Sequence, residues 1–338
     1  MRTISRLDAS ETDWEPFQAL IDLLPSLYPA THAALSRELV NGYSMLYRWQ
    51  GKTRDSPSVL MAHFDVVSAT DEGWTHPPFS AELTGAGTEQ LIWGRGTLDD
   101  KGSLVGVLEA VEDHVLAGFI PEHDVYLSFG HDEETLGSGA RGIVDLLESR
   151  GIRPGLVIDE GGAIVEDIFP GVSGPIAVVG VSEKGILTLR LTVEQDGGHA
   201  STPPRLSATV RLARAIVRLN SRPFRARFTP TTLEMIRTLG AHADFPLRLV
   251  FRHLWLTRPV LLALFARLGD ETNAMIRTTQ AVTMLEGSQA VNALAERAVA
   301  IVNLRVAIDS SVAAAVEHVR KAIRDPLVRI ETLHPNEP

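Results

Sequence analysis

The chain has 338 residues, 44% of them hydrophobic and 22% charged, which suits two domains of about 150 residues better than one core. A formal net charge of −10 argues against a nucleic-acid partner, which would need a basic face, and the absence of cysteine excludes disulfides and thiolate metal ligands. The opening MRTISRLDASETDW has neither an apolar core nor a cleavage pattern, so the expectation is a cytoplasmic protein without a secretory leader.

The first apolar run, SVLMAHFDVV (58–67), reads as a buried strand carrying His63 and Asp65. GRGTLDDKG then supplies Asp99 and Asp100, after which Leu104, Leu108, Val111 and Val115 recur at helical spacing over 101–119. A second strand, VYLSFG (125–130), precedes Glu133 and Glu134. Ile143, Leu146 and Leu147 mark a helix over 138–150, with Gly151 placed to stop it. A third strand, LVID (156–159), closes on Asp159 and Glu160. Apolar strands alternating with amphipathic helices predict an α/β domain whose mostly parallel sheet has flanking helices.

From Gly185 the order changes to strand (186–195), helix (207–219), strand (280–287), strand (298–308), helix (311–323) and strand (327–333). That β-α-β-β-α-β order predicts an α+β, ferredoxin-like second domain. The expected boundaries are 1–184 and 185–338, with a helical insertion over 221–278. Within the insertion, the apolar stretch 247–269 is broken by Arg248, Arg252, Arg258, Pro259 and Arg267. It reads as packed or lid helices, not as a membrane span of about 20 apolar residues.

There are thus four acid-or-histidine clusters, His63 with Asp65, Asp99-Asp100, Glu133-Glu134 and Asp159-Glu160, and three of them close short apolar runs that read as strands. In an open α/β sheet, groups beyond the carboxyl ends of the strands converge on one crevice. His63 and Asp65, one residue apart, face the same side of an extended chain, so Asp65 can orient an imidazole that binds metal. Consecutive Glu133 and Glu134 diverge in extended backbone, so one can hold a metal while the other addresses a water. No HExxH helix, phosphate loop or dinucleotide fingerprint is present, and GVSEK at 180–184 lacks the final glycine of a nucleophile elbow. The pattern is that of a metal-dependent hydrolase.

These clusters, together with NGYSMLYRW, GWTHPPFSAEL, VSEKG and GGHAS, resemble metallopeptidase family 20, the group of aminoacylases, carboxypeptidase S and N-acyl-amino-acid hydrolases, along the whole chain. The resemblance implies a zinc-peptidase-like catalytic domain with a lid and dimerisation domain. It implies two zinc ions, with cobalt as a substitute, that share one carboxylate. His63, Asp99 and Glu160 would hold the first, and Asp99 and Glu134 the second, with Asp159 as the alternative to Glu160. Asp65 would orient His63, Glu133 would be the general base, and the Asp99–Asp100 peptide bond would be cis. His199 in GGHAS resembles a lid histidine that stabilises the oxyanion in a partner subunit's site, and Asn273 and Asn292 would line the lid face. The implied substrate is a small molecule, an N-acyl amino acid or a short peptide with a free carboxylate, and the implied assembly is a homodimer through the lid, with no nucleic-acid or membrane partner.

The resemblance also implies a further histidine ligand and a carboxylate grip after the second domain, and a helix before Met1. His334, in ETLHPNEP, does not match the ligand motif. The 338-residue chain is therefore expected to hold an incomplete site, with weak or no activity. The alternative is a non-catalytic fragment that keeps partial metal binding and dimerisation.

Overall fold

Two helices, α1 (Glu15–Leu27) and α2 (Pro29–Ala34), lead into the hairpin of β1 (Ser36–Val40) and β2 (Ser44–Trp49). None of these was evident from apolar periodicity. The computed structural model describes residues 1–135, 137–166, 169 and 171–338, and its contacts divide the chain into two units, Met1–Gly161 and Gly162–Pro338.

In the first unit β3 (Thr53–His63) is followed by a small hairpin, β4 (Glu82–Thr84) with β5 (Leu91–Trp93). Then come α3 (Lys101–Leu116), β6 (His123–Gly130), α4 (Gly139–Ser149) and β7 (Leu156–Ile158). The sheet order is β1-β2-β6-β3-β7. β6, β3 and β7 pair in parallel, while β2 is antiparallel to both neighbours, so four of the five strands run in one direction. Alternation along β2 divides the core between two faces. Met45 and Tyr47 join Phe17, Ile21, Phe64, Leu104 and Leu108 under α1 and α3. Leu46 joins Val59, Tyr126, Ile143 and Leu147 under α4. Each such apolar side chain contributes about 1.5–3 kcal/mol on burial. Gly151, at φ +68°, ends α4 as expected. Edge strand β7 leaves Leu156, Val157 and Ile158 about half exposed.

The second unit begins with the hairpin β8 (Ala163–Val165) and β9 (Ile176–Val178). Next are β10 (Gly185–Glu194), β11 (Gly198–His199) and α5 (Ala208–Asn220). The insertion folds as α6 (Pro230–His242), α7 (Leu247–Arg252), α8 (Leu254–Leu268) and α9 (Asp270–Met275) around Phe228, Ile236, Leu254 and Leu261. After it come β12 (Thr279–Glu286), β13 (Ala293–Leu294), β14 (Arg297–Val306), α10 (Val312–Ile323) and β15 (Arg329–Asn336).

The antiparallel order β12-β14-β10-β15 is the ferredoxin-like arrangement expected from the sequence. Leu187, Leu189, Leu191 and Val193 face Leu212, Ala215, Val319 and Ala322. Ser207 and Ser311 cap the two helices by accepting from Val210 N–H and Ala314 N–H. Among the described residues no helix is long and apolar enough to cross a membrane. His334 falls within β15, with its side chain outside the described residues.

Candidate metal centre

Two strand registers build the site. β3 and β6 pair in parallel with His63 opposite Gly130, and β3 and β7 pair with Leu60 opposite Ile158. The residues just beyond each strand end therefore meet at one edge of the sheet. The N-terminal segment joins them: Ile4 bridges Val66, and Thr3 donates its hydroxyl to Phe64 O at 2.5 Å.

His63 is buried, and its Nε2 lies 2.9 Å from Asp99 Oδ1, 3.6 Å from Glu160 Oε1 and 3.9 Å from Glu133 Oε2. On the other side of the ring, Nδ1 lies 3.1 Å from Asp65 Oδ1. Asp65 is fully buried and accepts from Ser5 Oγ (2.7 Å), Glu133 N (3.1 Å) and Glu134 N (3.1 Å). Those two amide bonds explain one departure from expectation. Glu133 and Glu134 lie in a 3-10 turn, Glu133–Thr135, and not in extended backbone, because both N–H groups must point at one carboxylate. Asp132 holds the other side of the turn, accepting from Ser138 N (2.6 Å) and Gly139 N (2.8 Å) at the start of α4.

Two triads of potential metal donors result, His63 with Asp99 and Glu134, and His63 with Asp100 and Glu160, each with its ligand atoms within 4.8 Å of one another. The Asp99–Asp100 bond is cis. Asp100 had been read only as a neighbour of Asp99. It is completely buried, with Oδ2 accepting from His63 N at 3.2 Å and Oδ1 unpartnered among the described residues. Within the fourth cluster, Glu160 turns toward His63, whereas Asp159 accepts from the Glu160 backbone N–H at 3.0 Å.

The electrostatics are those of crowded anions around one imidazole. Burial lowers the His63 pKa, but the hydrogen bond and charge of Asp65, with Glu160 and Glu133, overcome it and push it up to about 10. Burial, then Asp100 and Asp99, push Glu160 up to about 7, with His63 opposing. Burial and neighbouring carboxylates also raise Glu133 and Glu134. Carboxylates that resist ionising together, an orphaned buried carboxylate oxygen and a donor set of only nitrogen and oxygen are what a divalent cation would relieve. Lys101, at the start of α3, is a second cationic group beside these carboxylates. Burial lowers it to about 8 against the charge of Asp65, and its Nζ has no hydrogen-bond partner among the described residues. Ser5 and Lys101 were not singled out from sequence. Lys101 follows Asp100 directly and was there to be noticed, whereas nothing in the sequence links Ser5 to a residue 60 positions away.

His199 lies in the second unit, exposed in the short β11–β13 ladder. Its Nδ1 lies 2.7 Å from Ser201 Oγ and 3.2 Å from Ser201 N, which leaves Nε2 without a hydrogen-bond partner among the described residues. Asn292 accepts Ala200 N–H through its carbonyl at 2.9 Å, and Asn273 lies in α9.

The model of peptidase family M20/M25/M40 matches residues 59–326. The chain belongs to that family. It is 38% identical over 306 residues to the human N-fatty-acyl-amino acid synthase/hydrolase PM20D1, covering 90% of this chain and 60% of that protein. It is 36% identical over 339 residues to a probable carboxypeptidase S-like 2 of Dictyostelium discoideum, covering 98% of this chain and 64% of that protein. The chain thus spans under two thirds of the length of these curated relatives. Among solved structures, an M20 family metallo-carboxypeptidase, Sso-CP2 from Sulfolobus solfataricus, matches with a TM-score of 0.63 at 18% identity, covering 98% of this chain and 75% of that one. The family and the two-part α/β fold expected from the sequence both hold.

Proposed function

We propose that the protein is a metal-dependent amidohydrolase that cleaves N-acyl amino acids or short peptides with a free carboxylate. The observation that carries this reading is the gathering of Asp99, Asp100, Glu134 and Glu160 around the buried His63, with the Glu133 carboxylate 3.9 Å from the same ring nitrogen. In this reading residues 1–184 act as the metal-binding part and 185–338 as the lid.

Two zinc ions, or cobalt in their place, would be held by His63, Asp99 and Glu160 and by Asp99 and Glu134, and when bound would supply carbonyl polarisation and acidification of water. Asp65 accepts from His63 Nδ1–H, so with a cation bound Nε2 would be the ring nitrogen offered to it, facing the carboxylates. Glu133 takes a proton from the attacking water and returns it to the leaving amine, and its raised pKa suits both steps. In the role that the resemblance implies, His199 would donate a ring N–H to the substrate carbonyl oxygen in a partner subunit's site as charge develops there. Self-association through the sheet of the second unit is supported by edge strand β12, where Met284 and Leu285 are more than half exposed.

The test is release of free amino acid from N-acyl amino acids by the zinc-supplemented chain. Turnover should be abolished by chelation and by Glu133→Gln, and chelator-resistant turnover would overturn the reading. In this assignment the second zinc has only two protein donors, Asp99 and Glu134, fewer than the three usual at a catalytic zinc, which supports a second reading: a polypeptide that holds metal without turnover. Stoichiometric metal binding with no hydrolysis would establish it.

A further inference from the structure

A second polar cavity lies at the opposite end of the sheet in the first unit. It encloses about 530 Å³ between the start of β3, the start of β6, the end of β2 and the turn before β7. Its lining on β3 ends at Pro57, and His63 closes that strand six residues further on, roughly 20 Å away at the rise of an extended strand. The cavity is therefore distinct from the metal centre.

Its lining reverses the charge of the molecule. In a chain of net charge −10, Arg48, Arg54, Arg150 and Arg153 face this space against Asp55 and Asp124. Two of the arginines are already committed. Arg48 grips the buried Asp124 through Nε and Nη2, both at 2.8 Å, and the other Asp124 oxygen accepts Gly51 N–H at 2.9 Å. Arg150 pairs with both oxygens of Glu38, at 2.5 and 2.8 Å. Among the described residues Arg54 and Arg153 make no ion pair.

Tyr126 adds an independent observation. Its side chain is only 4% exposed, with the ring packed against Val40, Leu46 and Ile143, yet it lines the cavity and its hydroxyl makes no hydrogen bond among the described residues. Burial raises its pKa, so near neutral pH it is a donor.

Two unpaired guanidinium groups offer more N–H donors than one carboxylate can accept, and their planar forks suit a dianion with several terminal oxygens. The volume falls in the range of about 300–1,000 Å³ found for small-molecule sites, well above what inorganic phosphate fills. We propose that this cavity binds a small phosphorylated compound, with the phosphate between Arg54 and Arg153 and the Tyr126 hydroxyl donating to the bound molecule.

Calorimetric titration of the full chain in chelator, which silences the metal centre, tests this with fructose 1,6-bisphosphate, inorganic phosphate and succinate. The bisphosphate should bind once per chain, more tightly than inorganic phosphate or succinate, and more weakly as salt is raised. An Arg54→Gln/Arg153→Gln double variant should weaken binding about 10- to 100-fold, the loss expected for charge-assisted hydrogen bonds. Both positions are exposed, so folding should be retained, as circular dichroism would verify. Tyr126→Phe, which keeps the packed ring, should weaken it severalfold. The proposal is overturned by no saturable binding up to about 10 mM. It is equally overturned by affinity unchanged in the double variant, by succinate binding as tightly as the bisphosphate, or by binding only to vesicles carrying phosphatidylinositol 4-phosphate.

Discussion

Replacing Asp65 with asparagine keeps the side chain's size while removing its charge and one acceptor oxygen. Oδ1 of Asp65 faces His63 Nδ1 and Glu133 N, and Oδ2 faces Ser5 Oγ and Glu134 N, in a fully buried setting. The asparagine amide is best accommodated at the Oδ2 position, where the Ser5 hydroxyl can rotate to accept from it and only Glu134 N–H is stranded. The reverse placement would strand both Glu133 N–H and the imidazole N–H. One stranded buried donor costs about 1–3 kcal/mol, so that is the expected loss of stability for Asp65→Asn. Asp65→Ala removes every acceptor and leaves four donors unsatisfied, for which about 3–5 kcal/mol is expected, the range for removing one partner from a buried charged pair.

The assay is urea unfolding of the metal-free chain followed by tryptophan fluorescence. It reports chiefly on the first unit, which holds Trp14, Trp49, Trp74 and Trp93, while Trp255 lies in the second. Zinc titration of the same variants should show affinity reduced about 10- to 100-fold, as for other residues that orient a ligating histidine. The reasoning is refuted if asparagine and alanine destabilise equally by less than about 0.5 kcal/mol, the level of an ordinary surface substitution, with zinc affinity unchanged.

Two further outcomes follow from particular contacts. Glu112 accepts from Ala30 N (2.9 Å) and Thr31 N (2.7 Å) at the start of α2, and although burial raises its pKa, these bonds leave it below the usual carboxylate value. Its contribution is therefore present above the unfolded-state pKa and lost as pH falls through the folded one. Glu112→Gln should cost about 0.5–2 kcal/mol at pH 7, with the gap to wild type closing at acid pH in denaturation curves; a gap that widens would contradict this. At Gly240 in α6 a methyl group would overlap Cβ of Phe251 in α7, an atom too close to the backbone to swing aside. Gly240→Ala should cost about 1–3 kcal/mol by thermal melting despite alanine's better helix propensity, and a stabilised variant would show that the two helices are not packed in this way.

What could be read from the sequence is what short-range pattern encodes. The apolar runs ending near His63, Gly130 and Ile158, and the alternation in 186–195 and 298–308, identify β3, β6 and β7 of the first sheet and the two central strands of the second, but not β1 and β2. Helices α1 and α2 were harder to see because Pro16, Pro25 and Pro29 punctuate them, although Pro16 and Pro29 sit in first turns, where a missing N–H is harmless. The turn at Glu133–Thr135, the burial of Asp100 and the arrival of Ser5 depend on partners some 37 to 69 residues away. No window of local sequence carries that information. The basic cavity is likewise invisible in sequence, since positions 48, 54, 150 and 153 become neighbours only through strand pairing.

The choice between Asp159 and Glu160 is made in the backbone just after β7, where Glu160 and not Asp159 reaches the imidazole. The parallel pairing of β3 with β7 ends with Leu60 against Ile158, so both acids lie just beyond the last paired residue, at the sheet edge where His63 closes β3. Adjacent side chains on an extended chain point to opposite faces, so only one of the two acids can be presented to the imidazole. A slip of one residue would exchange them, directing the shorter Asp159 inward and leaving the triad of His63, Asp100 and Glu160 without its third member. β7 is an edge strand of only three residues with its side chains half exposed, so little packing opposes such a slip. The bond from Glu160 N–H to Asp159 Oδ1 ties the two acids into one local arrangement and restrains the Glu160 backbone. Asp159→Ala, with no direct contact to His63 among the described residues, should therefore weaken zinc binding through Glu160, and unchanged zinc affinity would show that β7 needs no such restraint.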